Sequence, residues 1–198
     1  MEINAQQVKA LRERTGAGMM DCKKALQECN GDSDKAVDWL RKHGVAAAAK
    51  REGREAKEGL VYAYIHPGNR VGVLIEVNCE TDFVARNAEF QEMVKNVAMH
   101  IAAASPIAVR REEISEETTA KEKEIFQAQA EATGKPAAVI QKIIEGRLEK
   151  FFAEQVLLEQ PYVKEPKLTV GDVVDEVRAK IGENIRVRRF VRFELGEA

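Results

Sequence analysis

Residues 60–90 read LVYAYIHPGNRVGVLIEVNCETDFVARNAEF, and they predict a β-hairpin, a loop and the start of a helix. The runs 60–65 and 71–79 are rich in β-branched and aromatic residues, with turn-forming Pro67-Gly68-Asn69 between them. The second run opens apolar at nearly every position, which predicts a strand covered on both faces. After it come Thr81-Asp82-Phe83-Val84, then a helix expected over 87–105. Phe90, Val94, Val97 and Ile101 recur at helical spacing as its buried stripe, and Pro106 closes it.

Upstream, residues 4–44 predict three short helices. Asn4 caps the first, Val8 and Leu11 form its apolar side, and Gly16 stops it. The second carries Cys22, Ala25, Leu26 and Cys29, and Gly31 ends it. Ser33 is the expected cap of the third, which buries Ala36, Val37 and Leu40 and stops at Gly44. Residues 45–58, VAAAAKREGREAKE, read as a connector. Downstream, 111–152 predicts two charged helices broken at Thr133-Gly134-Lys135-Pro136, an antiparallel helical hairpin projecting from the body. Thr169 caps a last helix that ends at Gly182. The alternating run 184–195 predicts a strand with Ile185, Val187, Val191, Phe193 and Leu195 on its core face and Arg186, Arg188, Arg192 and Glu194 opposite. The expected organisation is a three-helix module over 1–45, a linker over 46–58, and an α+β core over 59–198 that holds the helical hairpin at about 111–152.

Composition narrows the function classes. Of 198 residues, 44% are hydrophobic and 32% charged, an ordinary globular balance. The net charge of −2 argues against a general polyanion binder. No apolar run approaches the ~18 residues of a membrane helix. Met1-Glu2-Ile3-Asn4 shows no positive leader or apolar stretch, so a cytoplasmic protein is expected. Three cysteines, Cys22, Cys29 and Cys79, fit reduced thiols, and the three histidines show no metal-ligand spacing around them. No metal or cofactor is expected, and no enzymatic signature is visible.

Several residues carry competing readings. Met19 and Met20 cannot both point into so small a core, and methionine suits an adaptable contact surface; both packed at a helix start is the alternative. Thr81–Val84 lies in a strand-to-helix loop, where function concentrates. The plainer reading puts Phe83 in the core and Asp82 as a cap near Asn87. His66 sits in the hairpin turn, where a histidine is usually just exposed. Arg186, Arg188 and Arg192 read either as a solvated sheet face or as an RNA-binding face.

Five segments resemble the elongation factor Ts family, in the family's order: VKALRERTGAGMMDCKKALQEC at 8–29, YIHPGNRVGVL at 64–74, EVNCETDFVARN at 76–87, EGRLEKF at 145–151 and QPYVKEP at 160–166. The resemblance implies a ubiquitin-associated-like three-helix module, an antiparallel-sheet core and a protruding helical hairpin. It also implies the short form of the family, with one core unit that pairs as a homodimer. The implied activity is guanine nucleotide exchange on elongation factor Tu, bound with GDP or nucleotide-free, without covalent chemistry. By position, Thr81, Asp82, Phe83 and Val84 form the loop that disturbs the magnesium site of that GTPase, and Arg12, Met19, Met20 and His66 are further contacts. Direct nucleic-acid and membrane binding are not expected.

Overall fold

The computed structural model describes residues 3–15, 17–40, 43 and 53–197. Gly16 and Gly44, expected as helix stops, and residues 46–52 of the expected linker lie outside them. The chain is a mixed α+β fold with an antiparallel three-stranded sheet of order β1-β2-β5 and a separate pair β3-β4. It divides into two compact units. One comprises 1–61, 76–94 and 173–188, the other 62–75, 95–172 and 189–198.

The first unit opens with three helices. Helix α1 (Ala5–Thr15) starts at a reciprocal cap: the Gln7 amide donates to Asn4 Oδ1 at 2.8 Å and the Asn4 amide to Gln7 Oε1 at 3.0 Å. Helix α2 (Met19–Glu28) ends where Asn30 and Gly31 take positive φ of 52° and 82°, and the Gly31 amide returns to the Leu26 carbonyl at 2.8 Å. Helix α3 is described over 33–40. Its cap is Asp32 rather than the expected Ser33, because Asp32 Oδ1 accepts from the amides of Asp34 and Lys35, both at 3.1 Å. Val8, Leu11, Cys22, Ala25, Leu26 and Ala36 bury one cluster, against which Val37, Trp39 and Leu40 pack.

Strands β1 (Glu58–Ile65) and β2 (Val71–Cys79) form the expected hairpin. Its turn places Gly68 and Asn69 at φ of 94° and 55°, and the His66 amide donates to the Val71 carbonyl at 2.9 Å. The β2 pattern is one-sided, contrary to the two-sided burial expected. Val73, Ile75, Val77 and Cys79 are buried, while Leu74 is exposed. A short helix α4 (Asp82–Ala85) follows, which periodicity did not predict, and then α5 (Ala88–Ala104). Asn87 Oδ1 caps α5 by accepting from the Glu89 and Phe90 amides at 2.8 and 3.3 Å. The expected stripe Phe90, Val94, Val97 and Ile101 is fully buried.

In the second unit, α6 (Glu116–Glu131) and α7 (Ala137–Gln155) form the helical hairpin, turned at Gly134 with φ of 67°. Arg111 ties its base. The guanidinium donates twice to Glu149 at 2.9 and 2.7 Å and also to Glu159, with its centre 4.5 Å from the Phe152 ring. Strands β3 (Pro161–Tyr162) and β4 (Glu165–Thr169) make a second, unpredicted hairpin. Thr169 caps α8 (Val170–Ile181) as expected, its hydroxyl accepting from the Asp172 amide at 3.0 Å while Asp172 Oδ2 accepts from the Thr169 amide at 2.8 Å.

Strand β5 (Arg186–Glu194) departs from its expected single alternation. Arg188 and Arg189 are consecutively exposed, and beyond them Phe190 and Arg192 are the more covered positions. Val187 is buried, but Val191, Phe193 and Leu195 are exposed. The apolar series of β5 is therefore covered only at its start, at Val187, and open at Val191 and Phe193.

Candidate partner-binding site

The loop after β2 leaves one large apolar side chain, Phe83, exposed. Cys79 closes the strand inside the core and donates its thiol to the Thr81 carbonyl at 3.1 Å. Burial first, with the Glu183 carboxylate adding, pushes this thiol up to about 11, so it stays protonated and acts as a donor. Thr81 is extended, at φ −129° and ψ 155°, and occupies the N-cap of α4. Its hydroxyl makes no helix cap and instead donates to Glu183 Oε1 at 2.7 Å.

Helix α4 has a single turn, so adjacent side chains point about 100° apart. Val84 turns inward and is buried, while Phe83 turns outward and is 78% exposed. Phe83 is therefore not the core residue that the plainer reading expected. Asp82 is not a cap for α5 either, since Asn87 fills that role; Asp82 pairs with Arg86 at 3.0 Å. Both partners of that pair are solvated, so it orients the turn more than it stabilises it. An exposed phenylalanine on a one-turn helix gains nothing from its own fold, and its apolar surface is free for a partner.

Arg12, Met19 and Met20 lie on α1 and α2, and all three are exposed, Met20 at 73%. The alternative of two methionines packed at the helix start is thus set aside. Gly18 at the N-cap gives α2 no side-chain cap, and this end of the helix carries a flexible apolar pair. His66 belongs to the second unit, exposed in the hairpin turn, with Nδ1 3.1 Å from the Tyr64 hydroxyl. The structure thus gathers Thr81–Val84 on one turn and Arg12, Met19 and Met20 on the first two helices.

Sequence reading missed the residues that hold the loop. Glu183 Oε2 accepts from the Glu80 and Thr81 amides, each at 3.1 Å. Glu80 Oε1 in turn accepts from the Asn184 amide at 2.6 Å, and the Asn184 side-chain amide donates to the Arg54 carbonyl at 2.7 Å. These partners lie about a hundred residues apart in sequence, so no local spacing reveals them.

The open end of the sheet offers a second surface. Ala63, Ile65, Gly72, Leu74, Phe193 and Leu195 line a shallow apolar groove of about 520 Å³. Ile65 is 60% and Phe193 70% exposed. The basic face expected on β5 is partly spent: Arg192 is mostly covered and is bound by Glu194 and, at 3.0 Å, by Glu197. Among the described residues no group of three or more His, Cys, Asp or Glu side chains is placed to hold a metal, and no helix is long and apolar enough to cross a membrane.

Comparison with known proteins identifies the family. A family model described as elongation factor TS matches residues 45–197. Elongation factor Ts of Moorella thermoacetica is 63% identical over 195 residues, covering 98% of this chain and 96% of its own length. That of Carboxydothermus hydrogenoformans is 62% identical over 195 residues, covering 98% and 90%. That of Geobacter metallireducens is 59% identical over 197 residues, covering 100% and 91%. With a family model over residues 45–197 and relatives above 60% identical across 98% of the chain, the protein belongs to the elongation factor Ts family.

Proposed function

We propose that this protein is a guanine nucleotide exchange factor in translation elongation, which acts in the cytoplasm by binding elongation factor Tu with GDP and promoting GDP release. The observation that carries the reading is the outward Phe83 ring, 78% exposed on a turn held by the Thr81 hydroxyl bond and the buried Val84. In this account Phe83 wedges between apolar side chains of the GTPase near its magnesium site. Asp82 and Thr81 fix the loop, and Val84 roots it. Burying one phenylalanine stabilises a complex by about 1.5–3 kcal/mol, roughly one to two decades of affinity. That alone is too little to displace a tightly held nucleotide. A module over residues 1–45, through Arg12, Met19 and Met20, and a core over 59–198, through His66, supply the remaining grip. Coupling is reciprocal, so GDP and the factor weaken each other by the same ratio, and GTP entry ejects the factor. No bond is made or broken in a substrate, so the protein acts without catalysing covalent chemistry.

We further propose that two copies pair through the open sheet face. Ile65, Leu74 and Phe193 come from three different strands and form a continuous apolar surface, and such a sheet face calls for a covering layer. RNA binding by the β5 arginines is the weaker reading, because Arg192 is already neutralised by two carboxylates.

The deciding assay follows fluorescent GDP leaving elongation factor Tu with and without this protein. Faster release in its presence is expected, and release at the intrinsic rate contradicts the reading.

A further inference from the structure

We propose that Glu183 is a positioning residue for exchange: it holds the Phe83 turn in the presenting conformation from a loop distant in sequence. This rests on the reading of Phe83 as the wedge. Glu183 lies two residues past the end of α8 and spends both carboxylate oxygens on the loop: Oε2 on two backbone amides and Oε1 on the Thr81 hydroxyl. Two successive amides and a hydroxyl converging on one carboxylate form a small anion nest, here filled from within the protein. Because those donors belong to Glu80 and Thr81, the carboxylate fixes the backbone immediately before the α4 turn. The direction of that first turn sets the direction of Phe83.

The platform that carries Glu183 is itself held on both sides. The Gly182 amide donates to the Arg178 carbonyl at 2.9 Å, with Gly182 at φ of 85°. The buried Arg178 guanidinium donates to the Ile185 carbonyl through Nε at 3.0 Å and pairs with Asp175 at 2.6 Å. On the other side of Glu183, the Asn184 side-chain amide donates to the Arg54 carbonyl, outside the loop, at 2.7 Å. Glu183 is therefore a fixed post, and the loop is what it positions. A structural glutamate of ordinary kind stabilises the fold equally whether or not Phe83 is present; a positioning glutamate matters to exchange only through that ring.

This difference is measurable in the full-length protein. Stopped-flow release of a fluorescent GDP analogue from elongation factor Tu, at saturating factor, is compared for wild type, Glu183→Gln, Phe83→Ala and the double variant. Hydrogen exchange of the Glu80 and Thr81 amides is followed in each. Glutamine keeps the shape but offers one acceptor oxygen in place of two. Its expected effects are faster exchange of those amides and release slowed by about tenfold. In the Phe83→Ala background the same substitution is expected to slow release by less than about threefold, because the group it aims is gone. Unchanged release in Glu183→Gln, or equal slowing in both backgrounds, overturns the positioning role while leaving the wedge intact. Wild-type release by Phe83→Ala removes the wedge and the positioning role with it. Should Glu183→Gln not fold, Thr81→Val deletes only the 2.7 Å bond and carries the same comparison.

Discussion

Phe83 and Val84 are sequence neighbours with opposite fates, and the contrast between them is where function separates from folding. Val84 is buried and Phe83 exposed, so truncating the second should leave the fold alone. Phe83→Ala is expected to shift unfolding free energy by no more than about 0.5 kcal/mol, read from urea titration, since the ring has little native packing to lose. A loss of several kcal/mol means that the ring is part of the core. From the residues alone the plainer reading packed Phe83 inward, and only the family resemblance implied an outward ring. What resolved it was the one-turn α4, too short for periodicity to register, and Glu183, whose partners are a hundred residues away. For the Met19–Met20 pair the sequence left exposure and packing equally open, and the structure leaves both side chains exposed.

Elements with strong local signals were readable and those fixed by distant partners were not. The first hairpin, α5 with its four-residue stripe, the α6–α7 hairpin and the Thr169 cap all follow from spacing and turn chemistry. Strands β3 and β4 are short and lack alternation, and what secures them is the buried His100 on α5. Its Nδ1 accepts from the Val163 amide at 3.3 Å, and its Nε2 lies 2.9 Å from Gln160 Oε1, to which it donates. Gln160 passes its own amide hydrogens to the Ala104 and Glu154 carbonyls. Burial, opposed in part by the Gln160 bond, holds His100 below its usual 6.5. The folded ring thus remains neutral at a pH where the unfolded chain's histidine has taken a proton. The unfolded state then binds more protons, so stability is full above 6.5 and is lost as pH falls below it, at no more than about 1.4 kcal/mol per pH unit. Urea titrations from neutral to mildly acidic pH should show His100→Gln with a shallower acid loss than wild type. Equal slopes in the two proteins contradict this role for His100.

At the scale of the whole molecule, the account needs several surfaces to act on one partner, because no single contact is strong enough. Deleting residues 1–44 should weaken binding to elongation factor Tu in calorimetry, and undiminished affinity defeats the gripping role assigned to Arg12, Met19 and Met20. Pairing of two copies is tested by Phe193→Asp, which puts a charge in the apolar sheet face. Sedimentation should move from dimer to monomer, and a dimer that survives means that the copies meet elsewhere. The exposure of Phe193 was invisible to alternation counting, since alternation says which residues share a face and not how far along the strand that face is covered. The central claim is that an outward ring on a braced turn loosens the nucleotide of another protein. Its most direct test is stopped-flow GDP release from elongation factor Tu at saturating factor, wild type against Phe83→Ala. Release slowed by about ten- to a hundredfold, in a variant that melts like wild type, is the predicted result. Release at the wild-type rate contradicts the account.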